Sequence, residues 1–317
     1  MLNPIEVSSK RQLERKIQPP VESSDTLVSD LVSLLVFRSS VTDRPKRPPF
    51  PNAPLVLTVL EVRYPELADA IGPRAQQSMR EALRSWLPLV ENVTHEQVQV
   101  ALGAPMPASI QRRTFPRFVS RDRTTALVIN ESALVLETTA YEGWEENFRP
   151  MVDDVVTALQ EIQPPDGVLR IGLRYIDEIR VPSITEVPGD WRDYIDDHLL
   201  AAADPAFIPA SLLPAIWQGV VQYKTSSDST LTVRYGPQTG HAVDPRGSTH
   251  RKNPPDAGPY FLLDSDSSWQ ADEVPEFNSG LILERCNRLH SPTREFFQIA
   301  VTERLRKEIF EVERIAE

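Results

Sequence analysis

The amino-acid sequence predicts an α+β fold, a mostly antiparallel curved sheet with helices packed on one face. Three observations lead there. Short runs of β-branched and aromatic residues alternate in polarity, two stretches are strongly amphipathic at helical spacing, and the order of elements starts again near residue 166.

The first strand is Leu55-Val-Leu-Thr-Val-Leu-Glu-Val-Arg-Tyr, whose side chains suit a pleated, half-buried surface. Gly72 and Pro73 then punctuate the start of a helix with an apolar stripe of Ala75, Met79, Leu83, Trp86 and Leu87. Further strands are expected around 96–102, 115–120, 124–130 and 133–139. A second helix carries Trp144, Phe148, Met151, Val152, Val155, Leu159 and Ile162 on one face and stops at Pro164 and Pro165.

From Val168 to Ile179 another long strand begins the second round, containing Leu173-Arg174-Tyr175, which matches Val62-Arg63-Tyr64. A helix near 189–201 with Trp191, Ile195 and Leu199 follows, then strands near 214–224, 229–236 and 259–266. The final helix is expected to start after His290, with Ser291 as N-cap and Pro292 in its first position, and to turn Phe296, Phe297, Ala300, Val301, Leu305 and Ile309 inward. Between the last strands, residues 237–259 hold glycines, prolines, His241 and His250 and read as a long mobile insertion.

Two rounds of this order suggest a tandem duplication with halves 52–165 and 166–317. The element order resembles the saddle of the TATA-binding protein; a single helix-on-sheet sandwich is the simpler alternative. Residues 1–51 form an N-terminal extension. Its short amphipathic helix, capped at Ser24 or Asp25, presents Leu27, Val28, Leu31, Val32 and Leu35, and a linker follows with Pro45, Pro48, Pro49, Pro51 and Pro54. Such an extension would serve as a tethering arm.

Composition narrows the function. The 317 residues are 40% hydrophobic, enough for a sizeable core, so the 52–317 segment is expected to be the main α+β domain. The net charge of −11 repels phosphate backbones and anionic membranes, which makes nucleic acid an unlikely partner. Cys286 is the single cysteine, which excludes an intramolecular disulfide and fits a cytoplasmic address. No apolar run approaches the roughly 18 residues a membrane helix needs, and no signal peptide is evident, so no membrane association is expected.

From Asn52 onward the chain resembles a sporadically distributed family of uncharacterised bacterial proteins. The resemblance rests on Asn52-Ala-Pro-Leu-Val-Leu-Thr-Val-Leu-Glu-Val-Arg-Tyr, Ile171-Gly-Leu-Arg-Tyr-Ile-Asp-Glu-Ile, Leu262-Leu-Asp-Ser-Asp and Leu289-His-Ser-Pro-Thr-Arg-Glu-Phe-Phe. It supplies no activity and no catalytic residue. What its distribution implies is an accessory bacterial component, such as a member of a toxin or phage-defence operon.

Strand parity yields the first candidate site. Glu61 and Arg63 share one face of the first strand, and Arg170, Arg174, Ile176 and Glu178 share a face of its counterpart, opposite Tyr64 and Tyr175. With the tyrosines under the helices, Arg63 and Arg174 point together to the open side, where two guanidinium groups can clamp a small anionic ligand. The competing reading is an Arg–Glu lattice that keeps an exposed sheet soluble.

Other constellations are weaker. Asp264 and Asp266 project to one side of a strand and would suit a divalent cation if further oxygens joined them, which makes a metal-dependent enzyme, with Glu61 or Glu178 converging on the same pocket, the rival expectation. Arg112, Arg113, Arg117, Arg121 and Arg123, interleaved with Phe115 and Phe118, have the composition of a single-strand nucleic-acid platform. Cys286 and His290 stand four apart on a predicted helix, a spacing that permits a Cys–His pair. Glycine-rich nucleotide loops, His-Glu-x-x-His and Gly-x-Ser-x-Gly are all missing, so no cofactor is expected. The expectation is a non-catalytic binding or regulatory protein that engages a protein partner or a small anionic ligand.

Overall fold

The computed structural model describes residues 50–67, 71–99, 109–204, 208–209, 211–212 and 216–312, all within one compact unit, 48–317. The expected N-terminal helix, most of the proline linker and positions 100–102 lie outside the described residues.

The described residues form a nine-stranded antiparallel sheet. In chain order the strands are β1 (Leu55–Arg63), β2 (Leu89–Gln99), β3 (Ser109–Val119), β4 (Thr125–Ile129), β5 (Ala133–Thr138), β6 (Arg170–Ile179), β7 (Gly219–Lys224), β8 (Ser229–Gly240) and β9 (Gly258–Gln270). Across the sheet their order is β2-β3-β4-β5-β1-β6-β9-β8-β7. From the central β1–β6 seam both flanks run outward in the same sense, β1-β5-β4-β3-β2 and β6-β9-β8-β7, the second flank being one strand shorter. The sheet does not close. Its rims are β2 and β7, and β7 leaves Val220 and Tyr223 exposed.

The helices cover one face. They are α1 (Pro73–Leu83), α2 (Arg149–Ile162), entered through a wide turn at Trp144–Phe148, the four-residue α3 (Asp197–Leu200), the long α4 (Ser279–Ala300) and the short α5 (Glu303–Leu305). Alternation in β1 buries Leu60, Val62 and Tyr64 beneath them, and β6 contributes Ile171, Leu173 and Tyr175 to the same layer. Met79 and Leu83 of α1 and Val152, Val155, Val156 and Leu159 of α2 meet those rows.

The core has two parts. One contains Leu60, Leu136, Leu173 and the buried faces of α1 and α2; the other gathers Ile179, Trp191, Leu231, Val233, Phe261, Leu263, Leu305 and Phe310. Helix α4 spans both, giving Ile282, Cys286 and Leu289 to the first and Phe296 and Ala300 to the second. Among the described residues no helix is long and apolar enough to cross a membrane.

Three expectations need correction. The helix near 189–201 is only the short α3, because Trp191–Asp196 is tied up elsewhere: Ile195 bridges to Val301, Asp196 donates to the Ala300 carbonyl at 3.0 Å, and Trp191 packs on Phe261. Helix formation resumes only after Asp196, whose side chain accepts from the His198 amide. Pro292 does not start the last helix but sits inside α4, which reaches back to Ser279 with Asn278 as its N-cap. A proline inside a helix removes one backbone hydrogen bond. The continuous buried stripe from Ile282 to Ala300 outweighs that loss.

Residues 237–259 are not a mobile insertion. Strand β8 extends to Gly240, β9 begins at Gly258, and the intervening segment is pinned across the sheet. The remaining strands agree in type and shift in extent: β2 starts at Leu89 and β3 at Ser109, both earlier than their patterns suggest.

Leu60 is fully buried and faces Leu136 on one side and Leu173 on the other. Leu60→Ala should therefore lower unfolding stability by about 2–5 kcal/mol. Urea titration would show this as a shifted midpoint with an unchanged slope.

Candidate functional site

Parity on the central strands is as the sequence predicts. Tyr64 and Tyr175 are buried under the helices, and Arg63 and Arg174 reach the opposite, open face. Register separates the two arginines, however. Arg63 stands opposite Arg170 and Arg174 opposite Val59, an offset of four residues or about 13 Å along the strands.

Both arginines also carry carboxylate partners. Arg63 meets Glu61 at 3.0 Å, and Glu61 bridges on to Arg170 at 2.6 Å. Arg174 makes two 2.7 Å bonds to Asp264, which Arg234 approaches to 3.5 Å. Asp266 lies 3.8 Å from Arg170. Asp264 and Asp266 thus belong to an ion-pair lattice, and among the described residues no group of three or more metal-ligating side chains is gathered.

The basic residues of β3 and of the turn after it join the same kind of lattice. Arg113 pairs with Glu131, Arg123 reaches Glu91 at 2.6 Å, and the buried Arg117 lies between Glu91 at 3.3 Å and Glu137 at 3.2 Å. Phe118 faces the core and has no surface on which a base could stack.

The segment between β8 and β9 crosses this face and closes part of it. Arg117 donates to the Ser248 carbonyl at 2.8 Å and to Thr249 at 3.1 Å, and the His250 amide donates to the Arg123 carbonyl at 2.7 Å. Glu178, its side chain only 1% exposed, accepts from Arg251 at 2.8 Å, Arg180 at 2.8 Å and the Ala242 amide at 2.8 Å. Burial works against the charge of that carboxylate, but these three donors outweigh it and hold its pKa below the ordinary value. Removing Glu178 leaves two guanidinium groups without their anion. Glu178→Ala should cost about 3–5 kcal/mol and open the 241–257 segment to trypsin at Arg246 and Arg251, which limited proteolysis would reveal as early cuts in the variant.

The helix side holds a different arrangement. A row of polar side chains crosses the buried face in register: Thr125, Thr138, Thr58, Tyr175 and Ser265. Thr125 and Thr138 bond to each other at 2.8 Å, whereas the buried Thr58 hydroxyl has no partner among the described residues. Next to this row lies a cavity of about 170 Å³ lined by Phe50, Pro54, Leu55, Tyr141, Tyr175, Asp177, Ser265, His290, Thr293, Arg294 and Phe297. It sits where the two parts of the core diverge and α4 passes from one to the other. Larger hollows, of about 620 Å³ beside Trp191 and about 490 Å³ beside Arg251, are more polar, and their charged residues include the paired Asp190–Arg192 and Glu178–Arg251.

Inside the small cavity, Tyr175 hydroxyl and His290 Nδ1 are 2.9 Å apart, and His290 stacks on Trp144 with ring centroids 4.8 Å apart. Trp144 is held in turn by a 2.9 Å bond from its Nε1 to Asn287. Burial, helped by the nearby Arg294 charge, lowers the His290 pKa to about 4, so the ring is neutral at pH 7. Tyr141 meets Tyr175 edge to face at 5.8 Å, and burial raises both hydroxyl pKa values.

Asp177 is the exceptional member. The residue is only 6% exposed, lines the cavity and makes no side-chain hydrogen bond or ion pair among the described residues. Burial, with the neighbouring Asp264 charge behind it, pushes its pKa up to about 8. Arg294, exposed on α4, likewise has no ion pair among the described residues. The cavity therefore combines a buried neutral acid, a neutral imidazole, two protonated phenols and one cation, all in aromatic surroundings.

Cys286 and His290 do not form a pair. Cys286 is fully buried with its thiol pushed up to about 12 by burial, and the histidine bonds to Tyr175 instead. Sequence reasoning missed Asp177, although a signal was present: the residue falls in the same parity class as Ile171, Leu173 and Tyr175, where a carboxylate is out of place.

Compared with known proteins, the chain matches no family model and no curated protein. The site must be read from its own residues.

A folded-state pKa near 8, against an ordinary value near 3.8, means that Asp177 keeps a proton which the unfolded chain has lost across that interval. Stability from this group is present at low pH and disappears as pH rises towards and through 8. Asp177→Asn mimics the protonated form at every pH. The melting temperature of the variant minus that of the parent should grow by several degrees between pH 5 and pH 8.5; a difference independent of pH would contradict the assignment.

Proposed function

We propose that this chain is a binding protein for a small organic ligand, held in the cavity between the two parts of the core. The observation that carries this reading is Asp177: a carboxyl residue that lines a largely apolar, aromatic cavity and has no hydrogen-bond or ion-pair partner among the described residues. Buried polar groups are nearly always satisfied, and a group that is not points to a role outside folding. Cavities that join apolar walls with a few convergent polar groups are where small molecules bind.

Size sets the class. A cavity of about 150 Å³ accommodates a benzene-sized molecule, so the 170 Å³ here suits a ligand whose enclosed body is about the size of one aromatic ring. A regulatory role fits this reading, with occupancy reported through α4, which touches the cavity and both parts of the core. The mirrored strand order about the β1–β6 seam supports a tandem duplication as the origin of the sheet, which would place the cavity between the two halves, with Leu55 and Tyr141 from the first and Tyr175, Asp177 and His290 from the second.

The second reading, an anion clamped on the open face by Arg63 and Arg174, has less in its favour because Glu61 and Asp264 already engage those guanidinium groups. Saturation-transfer NMR with a mixed set of neutral, cationic and anionic fragments tests the cavity. Ala53, exposed at its edge, can be widened to block entry without touching the core. Fragments should bind the parent and lose at least tenfold in affinity for Ala53→Trp; binding that the substitution leaves untouched would move the site elsewhere.

A further inference from the structure

Resting on the reading of the cavity as a ligand site, we infer that its ligand is a small amine with an apolar body, whose cation pairs with Asp177 at the inner wall. An unpartnered carboxyl on a cavity wall asks for a hydrogen-bond donor, and a cationic donor gives the strongest bond. The walls agree with that charge. Phe50, Tyr141, Tyr175 and Phe297 present aromatic rings, whose faces attract cations.

The groups that face Asp177 leave room for a positive guest. Tyr141 and Tyr175 are neutral phenols, His290 is a neutral ring, and Ser265 and Thr293 are hydroxyls. Asp264, on the neighbouring strand, adds negative potential, although Arg174 and Arg234 compensate it. Glu146 acts on Tyr141 from the turn before α2, and Cys286 of α4 is a buried neutral thiol. The opposing charge is Arg294, which is exposed to solvent and makes no ion pair with Asp177; screening by water and salt limits its repulsion. The chain as a whole, at −11, favours the approach of cations over anions.

Binding would carry a proton signature. Below pH 8 the free site holds Asp177 as the acid, and an ammonium ion that enters forms an ion pair only when that proton leaves to solvent. No bond of the ligand is made or broken. Each binding event at pH 6.5 releases about one proton, and apparent affinity rises about tenfold per pH unit from 6 to 8 before levelling.

Three probes of matched shape separate the possibilities: phenethylamine, 2-phenylethanol and phenylacetate. Calorimetry in buffers of different ionisation enthalpy reads affinity and proton release together. The expected result is that phenethylamine binds best with the stated release and pH slope, that Asp177→Asn loses at least tenfold, and that Arg294→Gln keeps or improves the affinity. A flat pH profile, or tighter binding of phenylacetate that depends on Arg294, would overturn the amine assignment. If 2-phenylethanol or phenylacetate binds more tightly than phenethylamine and Ala53→Trp abolishes that binding, the amine assignment falls while the cavity stands as a ligand site. If none of the three binds, the amine assignment falls, and silence from the broader fragment set removes the cavity reading as well.

Discussion

The antiparallel pairing of β1 with β6 is the constraint on which the rest of the molecule depends. It aligns Leu60 with Leu173 and Thr58 with Tyr175, so one register decides which residues of both strands lie under the helices. A slip of one residue would turn Tyr64, Val62 and Leu60 out to solvent and bring Glu61 and Arg63 inward. The cavity inherits that register: Tyr175 and Asp177 are successive members of the inward row, and Ser265 stands opposite Tyr175 on β9.

That pairing was partly legible in the sequence. The repeated Val-Arg-Tyr and Leu-Arg-Tyr segments predicted that the tyrosines share the buried side and the arginines the open one, as the structure shows. Period-two alternation needs only local sterics, so parity can be read from letters alone. The offset between Arg63 and Arg174 could not be, because it depends on which residues of two distant strands stand opposite each other. The burial of Glu178 was equally hidden, since it comes from Ala242 and Arg251 in a segment that looked like an unstructured insertion.

The elements whose reading changed share a physical cause. Residues 189–196 have helical spacing, but Tyr194–Asp196 spend backbone groups on Ala300–Thr302 and Trp191 packs its ring on Phe261, so tertiary pairing overrides local preference. Pro292 carries every local mark of a helix start, and the apolar stripe from Ile282 to Ala300 carries the helix through it. Asp177 was visible in principle, because an acid within an inward row contradicts the pattern that surrounds it. Such local conflicts are where a sequence departs from the demands of folding alone.

The unclosed sheet leaves two rims, β2 and β7, each with a line of backbone amides and carbonyls that no strand among the described residues takes up. Exposed rims are templates on which another polypeptide can zip. On β7 the hazard is greatest, because Val220 stands exposed on that rim. The surplus of acidic side chains answers it at long range. Molecules that each carry −11 repel one another before their rims can meet, so colloidal stability in this protein rests on its charge and should weaken as acidity brings that charge towards zero near pH 5.1.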